Sequence, residues 1–207
     1  MVEKVKSMLG TIYGLVNNAG INIPRLLVDP DHQYELDEAV WNRVMDVNVK
    51  GVFLCAQAVA RELEKNGGGV IVNVSSECGL EGSEGQSVYA ASKNAVNSLT
   101  RSWAKELGKR GIRVVGIAPG ILEATGLRTA AYEEALAYTR GITVDELHKS
   151  YAKTATIPLG RSGRMWPPLR WRRLHPDRHS GPHHYLLVGQ EVRLPQVPER
   201  RGTESPV

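Results

Sequence analysis

Apolar and polar positions along the chain change period several times, and each change marks an element. Residues 12–20 (IYGLVNNAG) read as a short buried strand that ends in a polar turn. Over 36–66 the apolar positions Val40, Val44, Val47, Gly51, Leu54, Ala58 and Leu63 recur with helical spacing. Gly67, Gly68 and Gly69 stop that helix. GVIVNVSS (69–76) is apolar and β-branched throughout, as strands buried on both faces are. A loop rich in Gly, Glu and Ser follows. Residues 87–109 form a strong helix with Lys and Arg near its end and Gly111 as its stop. IRVVGIAPG (112–120) is the next strand. Two long helices between three buried strands make two βαβ units, hence a parallel sheet with right-handed crossovers. The expected fold class is α/β, a Rossmann-like doubly wound sheet. Polar residues gather at the strand ends, where open α/β sheets hold ligands. The three glycines at 67–69 precede a strand rather than open a helix, so they are not a phosphate loop.

Composition narrows the class. At 207 residues and 42% apolar, the chain is long enough for one domain with a sizeable core. Its apolar runs fall well short of the ~20 residues of a membrane span. The start, MVEKVKSMLG, has no signal-peptide run. A cytoplasmic protein without a membrane partner is expected, with Cys55 and Cys78 as free thiols. The net charge is +4, of which residues 165–207 supply +3. The remaining body is nearly neutral, which argues against a nucleic-acid binder. That tail also holds seven of the eleven prolines and no lysine. The prolines interrupt any helical or strand period, so the expected division is a folded unit over 1–164 and a poorly ordered tail over 165–207. His175, His179 and His183 stand four apart, but Pro176 and Pro182 break the helix that would align them, and no metal site is expected.

Candidate chemistry sits in the body. Tyr89 and Lys93 are four apart on one helix face. A phenol of ordinary pKa ~10 is a poor base at neutral pH, and a neighbouring ammonium would lower that pKa. Ser76 ends the strand before that helix, and its hydroxyl can reach the helix start to polarise a carbonyl oxygen. Asn48 lies inside a helical pattern, an unfavourable place for Asn. The bland readings are an exposed Tyr–Lys pair, a strand-ending serine and a tolerated surface Asn.

Together these residues resemble the short-chain dehydrogenase/reductase family. Asn17-Asn18-Ala19-Gly20 is similar to its NNAG motif, Asn48 in VNVKG to its catalytic Asn, and VNVSS with YAASK to its Ser and Tyr-x-x-x-Lys. Pro119-Gly120 matches its turn at the nicotinamide. The resemblance covers 1–164 and implies a nicotinamide cofactor, NAD with NADP not excluded. It implies that Tyr89 transfers the substrate proton. Lys93 would lower the Tyr89 pKa and hold the ribose, Ser76 would orient the carbonyl, and Asn48 would anchor a water relay. Asn18, Ala19 and Gly20 would line the adenosine side, and Pro119, Gly120, Ile121 and Leu122 the nicotinamide. Family members are homodimers or homotetramers.

The family pattern opens with a glycine-rich βαβ unit that holds the pyrophosphate. NNAG begins here at residue 17, roughly 70 residues earlier than in the pattern, so the expected sheet is partial and its dinucleotide binding weak. IPLGRSGR (157–164) is family-like; the proline-rich tail stands where a last helix and strand are expected. GINIPRLLVDP, SSECGLEGSEGQSVYAASK and APGILEATGLRTAAYEEALAYTRGIT resemble the branch of the family that oxidises sorbitol 6-phosphate to fructose 6-phosphate with NAD. The expected partner is then a small polyol phosphate, with Arg25 or Arg128 on its phosphate and residues 124–151 as a helical lid. The alternatives are a 3-oxoacyl carrier-protein reductase, a non-catalytic remnant, and a nucleic-acid binder through the Arg-rich tail.

Overall fold

The structure is a computed structural model and describes residues 1–122, 125–153 and 185–188. Among these, the elements are α1 (Val2–Leu9), β1 (Gly14–Asn17), α2 (Glu38–Met45), α3 (Gly51–Lys65), β2 (Gly69–Val74), α4 (Cys78–Glu81), α5 (Ser87–Gly108), β3 (Ile112–Ile117), α6 (Ala130–Thr139), α7 (Val144–Lys153) and β4 (Tyr185–Val188). Four parallel strands make one sheet in the order β3-β2-β1-β4. The α/β, Rossmann-like architecture read from the sequence is the observed one.

The residues of β1 and β2 are buried on both faces, whereas in β3 Ile112 and Val114 are buried and Arg113 and Gly116 are exposed. On one face Ile12, Leu15, Ile71, Ile112 and Val114 meet Ala56, Val59, Ala60 and Leu63 of α3. Trp103, Ala104 and Leu107 of α5 and Val2 and Val5 of α1 close that cluster. On the alternate strand positions Val16, Val70 and Val72 pack with Val74 and Val115. A third cluster lies apart from the sheet. Leu136, Ala137 and Leu147 join α6 to α7, with Tyr132, Ile142, Val144 and Tyr151 around them.

Two expectations are corrected. The long helix expected over 36–66 starts at Glu38, capped by the Asp37 carboxylate on the Val40 N–H at 2.7 Å. Its middle, Asp46–Lys50, is a π-turn rather than α-helix. The widened turn swings Asn48 inward, where it is fully buried, not exposed. The loop after β2 contains the short helix α4. Within the tail, Tyr185–Val188 pairs in register with Gly14–Asn17. Four apolar residues are too few to show a period among prolines, and the free edge of β1 supplies the ladder that makes them a strand. The remaining residues of the tail, the histidines at 175, 179 and 183, and the 157–164 motif lie outside the described residues. Among the described residues no helix is long and apolar enough to cross a membrane, and no group of three metal-ligating side chains occurs.

Candidate active site

Because the strands are parallel, the turns after β1, β2 and β3 all leave the sheet at the same edge. Backbone bonds stitch these turns together. Ser75 N–H donates to Ile117 O at 2.7 Å and Glu77 N–H to Pro119 O at 3.0 Å. Helix α5 is tied to the same edge by Ser75 Oγ, which donates to Lys93 O at 2.8 Å. Asn18, Ala19 and Gly20 therefore lie on one side of the Ser76 turn, and Pro119, Gly120, Ile121 and Leu122 on the other.

Asn48 is held from both ends. Its Oδ1 accepts from Ile21 N–H at 2.8 Å, and its Nδ2 donates to Ile21 O at 2.9 Å and to Ser92 Oγ at 3.0 Å. Ser92 in turn donates to Tyr89 O at 2.7 Å. The amide thus clamps the post-NNAG loop to α5 at Ser92, next to Lys93. With these bonds made, both polar ends of the Asn48 side chain are engaged. Gly20 lies at the centre of this arrangement: a Cβ there would rest against Asn48 Oδ1 and Lys93 Nζ, each at 3.4 Å.

Tyr89 and Lys93 are both buried, at 7% and 5% exposure. Lys93 Nζ donates to Val74 O at 2.9 Å and lies 5.7 Å from the centre of the Tyr89 ring. Burial lowers the Lys93 ammonium from 10.5 to about 8. The Tyr89 pKa departs from expectation. Burial raises it, and a hydrogen bond with the Ser76 side chain pulls it back only in part. No lowering by Lys93 opposes this; its Nζ is turned to the Val74 carbonyl. The phenol is therefore held protonated at neutral pH, as a proton donor needs. The structure brings Asn48, Ser76, Tyr89 and Lys93 into one site.

Arg25 and Arg128 are placed differently. The Arg25 guanidinium donates to Pro24 O at 2.8 Å and lies 5.2 Å from the Tyr34 ring centre. Arg128 stacks on Tyr151 of α7, 4.0 Å from its ring centre. Sequence reasoning overlooked Glu77, whose carboxylate lies against Gly120. It also overlooked a polar chain from Asn22 through Gln86 and Ser83 to Arg140. Bonded partners in it are up to 64 positions apart, so no local spacing links them.

Residues 1–135 match the model of the short chain dehydrogenase family, and the chain belongs to that family. It is 66% identical over 167 residues to a sorbitol-6-phosphate 2-dehydrogenase of Klebsiella pneumoniae, covering 79% of this chain and 62% of that protein. It is 48% identical over 123 residues to the 3-oxoacyl-acyl-carrier-protein reductase FabG of Thermotoga maritima, covering 59% and 48%. Among solved structures, ElxO with NADP bound superposes with a TM-score of 0.62 at 28% identity, covering 79% of this chain and 59% of that one. The chain thus spans about half to three-fifths of the length of these relatives.

The residues present suit the nicotinamide end of such a cofactor. The Gly20 cradle leaves room beside the Lys93 ammonium that a side chain would fill, and the Pro119–Gly120 turn faces it across the strand tips.

Proposed function

We propose that this chain carries the catalytic half of an oxidoreductase that interconverts sorbitol 6-phosphate and fructose 6-phosphate with NAD. The observation that carries the chemistry is the meeting of Ser76, Tyr89 and Lys93 at one sheet edge, with Tyr89 held protonated beside Ser76. The 66% identity to the Klebsiella protein favours this substrate over the acyl thioester of the FabG reading. The cofactor, when bound, accepts or returns the hydride at the carbon bearing the reacting oxygen. In the reducing direction Tyr89 donates its proton to that oxygen while the Ser76 hydroxyl stabilises the growing negative charge. In the oxidising direction the deprotonated phenol takes the proton back. Lys93, near its titration midpoint at mildly alkaline pH, holds the ribose. Asn18, Ala19 and Gly20 border the adenosine side, and Pro119, Gly120, Ile121 and Leu122 the nicotinamide side. NAD is proposed over NADP from the likeness to the sorbitol 6-phosphate branch. The test is formation of NADH or NADPH, followed by absorbance, with sorbitol 6-phosphate, free sorbitol and a 3-hydroxyacyl thioester as substrates. NADH from sorbitol 6-phosphate supports the reading; turnover of the thioester alone overturns it.

A further inference from the structure

Helices α6 and α7 share a small core of their own, Leu136, Ala137 and Leu147, apart from the sheet. Three consecutive residues at the end of α6 fasten this pair to two loops beside the reaction site. Tyr138 Oη donates to Asp29 Oδ1 at 3.0 Å, and the Tyr138 ring lies 4.9 Å from that of Tyr34. Thr139 packs so closely on Gly85 that a Cβ on the glycine would strike its side chain. Arg140 Nη2 donates to Ser83 Oγ at 3.2 Å. One of the two loops follows β1 and the other leads into α5. They are joined to each other where the pair docks, since Arg25 N–H donates to Gly85 O at 2.8 Å.

Asp29 organises the first loop. It is 1% exposed, and the chemistry described above does not use it. Its Oδ2 accepts from the N–H groups of Gln33 at 3.0 Å and Tyr34 at 2.7 Å, and its Oδ1 from Asp31 N–H at 3.3 Å. The loop closes on itself through Leu26 N–H to Tyr34 O at 2.9 Å and Leu36 N–H to Leu26 O at 2.8 Å. A buried carboxylate is costly unless its oxygens are paired. Three of its donors come from the loop itself, and the fourth, Tyr138, comes from 109 positions away.

That fourth bond is the weak point of the dock. Asp31 Oδ2 also lies 3.2 Å from Tyr138 Oη, so one phenol hydrogen serves two carboxylates. Losing it leaves the loop's own bonds and the core between α6 and α7 intact. Both neighbours of the dock lead into the site. The chain runs from the Pro119–Gly120 turn into α6, and Gln86, which donates to Ser83 Oγ at 2.9 Å, stands just before the first turn of α5, where Tyr89 sits.

We propose that Asp29 and Tyr138 are positioning residues: their hydrogen bond latches the α6–α7 pair onto the loops beside Tyr89, and breaking it releases the pair as a unit while the sheet stays folded. This goes beyond the functional reading above, because it holds for whichever substrate reaches the strand tips.

Hydrogen exchange of the full 207-residue chain, resolved by segment, tests the latch and needs no turnover. Tyr138→Phe keeps the ring against Tyr34 and removes only the hydroxyl. Exchange in α7 should rise about tenfold, although α7 holds neither partner of the lost bond. Exchange in β2 should stay within about twofold of the parent, because the sheet remains folded. Tyr151→Phe is the control. It removes a buried hydroxyl of α7 that has no hydrogen-bond partner among the described residues, and α7 should exchange no faster than in the parent. In a chain that carries Asp29→Ala, Tyr138→Phe should speed α7 by a smaller factor, because only the bond to Asp31 is left to lose. Should Asp29→Ala fail to fold by circular dichroism, Tyr138→Phe against Tyr151→Phe decides. Unchanged α7 exchange in Tyr138→Phe, an equal rise in β2, an equal rise in Tyr151→Phe, or the same factor with and without Asp29 overturns the latch.

Discussion

The two ends of the sheet are built from the same strands and helices yet obey opposite rules. Near the strand starts, Ile12, Leu15, Leu63, Ile71 and Ile112 are 0–2% exposed and carry no polar side-chain atom. At the strand ends, Asn17, Asn48, Asn73, Ser75, Ser92, Lys93 and Thr100 are buried to a similar degree. The apolar end is held by area removed from water and by close packing. At the polar end most of these groups are paired, although Asn17 Oδ1 is buried without a hydrogen-bond partner among the described residues. Asn17 Nδ2 donates to Asn73 Oδ1 at 2.8 Å, and Asn73 Nδ2 to Thr100 Oγ1 at 2.9 Å. Lys93 is another exception: its buried charge has a carbonyl for a partner and no carboxylate among the described residues. Stability resides at one end, and at the other it is spent on a poised ammonium and a protonated phenol.

The contrast can be broken most sharply at the apolar end. Leu63→Ala should cost about 2–5 kcal/mol of unfolding free energy, because the side chain is fully buried in the main cluster and leaves a cavity. Urea unfolding gives the value, and a cost near that of a surface change would contradict the packing described.

Lys93→Met tests the polar end through pH. The native pKa of Lys93, about 8, lies below its ordinary value of 10.5. Below pH 8 both native and unfolded chains hold the proton, and burying the charge costs roughly 3 kcal/mol. As pH rises from 8 towards 10.5 the native chain sheds the proton first, so that cost is relieved and stability rises. Lys93→Met lacks this term. The difference in unfolding free energy between the parent and Lys93→Met should therefore shift in favour of the parent across that window. Raised pKa values at Tyr89 and Cys55 act with the opposite sign above their ordinary values of 10.0 and 9.0. Both chains share them, so they cancel in the difference. A difference constant with pH would contradict the buried ammonium.

Asn48→Ala should cost about 1–3 kcal/mol by orphaning the Ile21 N–H and C=O, and it should loosen the loop after β1. Hydrogen exchange at the Ile21 amide gives a direct reading: faster exchange is expected, and unchanged protection would show that the clamp is dispensable.

Much of this was legible in the residues, for physical reasons. A strand buried on both faces leaves a continuous β-branched run, so β2 stands out, and the polar residues at its end mark the site. Tyr89 and Lys93 share a helix face by spacing alone. The π-turn at Asn48 was not legible, because a widened turn shifts the helical phase by one residue and leaves the apolar pattern nearly intact. Nor was β4, whose pairing depends on the edge of β1 rather than on its own four residues. Arg140 and Ser83 meet across 57 positions, beyond any local pattern. The Tyr89 shift was misjudged because spacing shows that Lys93 is near but not that both groups are buried.

The central claim is that the Tyr89 hydroxyl moves the proton while adding little to the fold. Tyr89→Phe keeps the ring and removes only that hydroxyl. In a chain competent for NAD-linked turnover of sorbitol 6-phosphate, kcat should fall by about 10²–10⁴-fold. Its unfolding free energy, measured alongside, should stay within about 1 kcal/mol of the parent. A Tyr89→Phe chain that turned over at the parent rate would contradict the account.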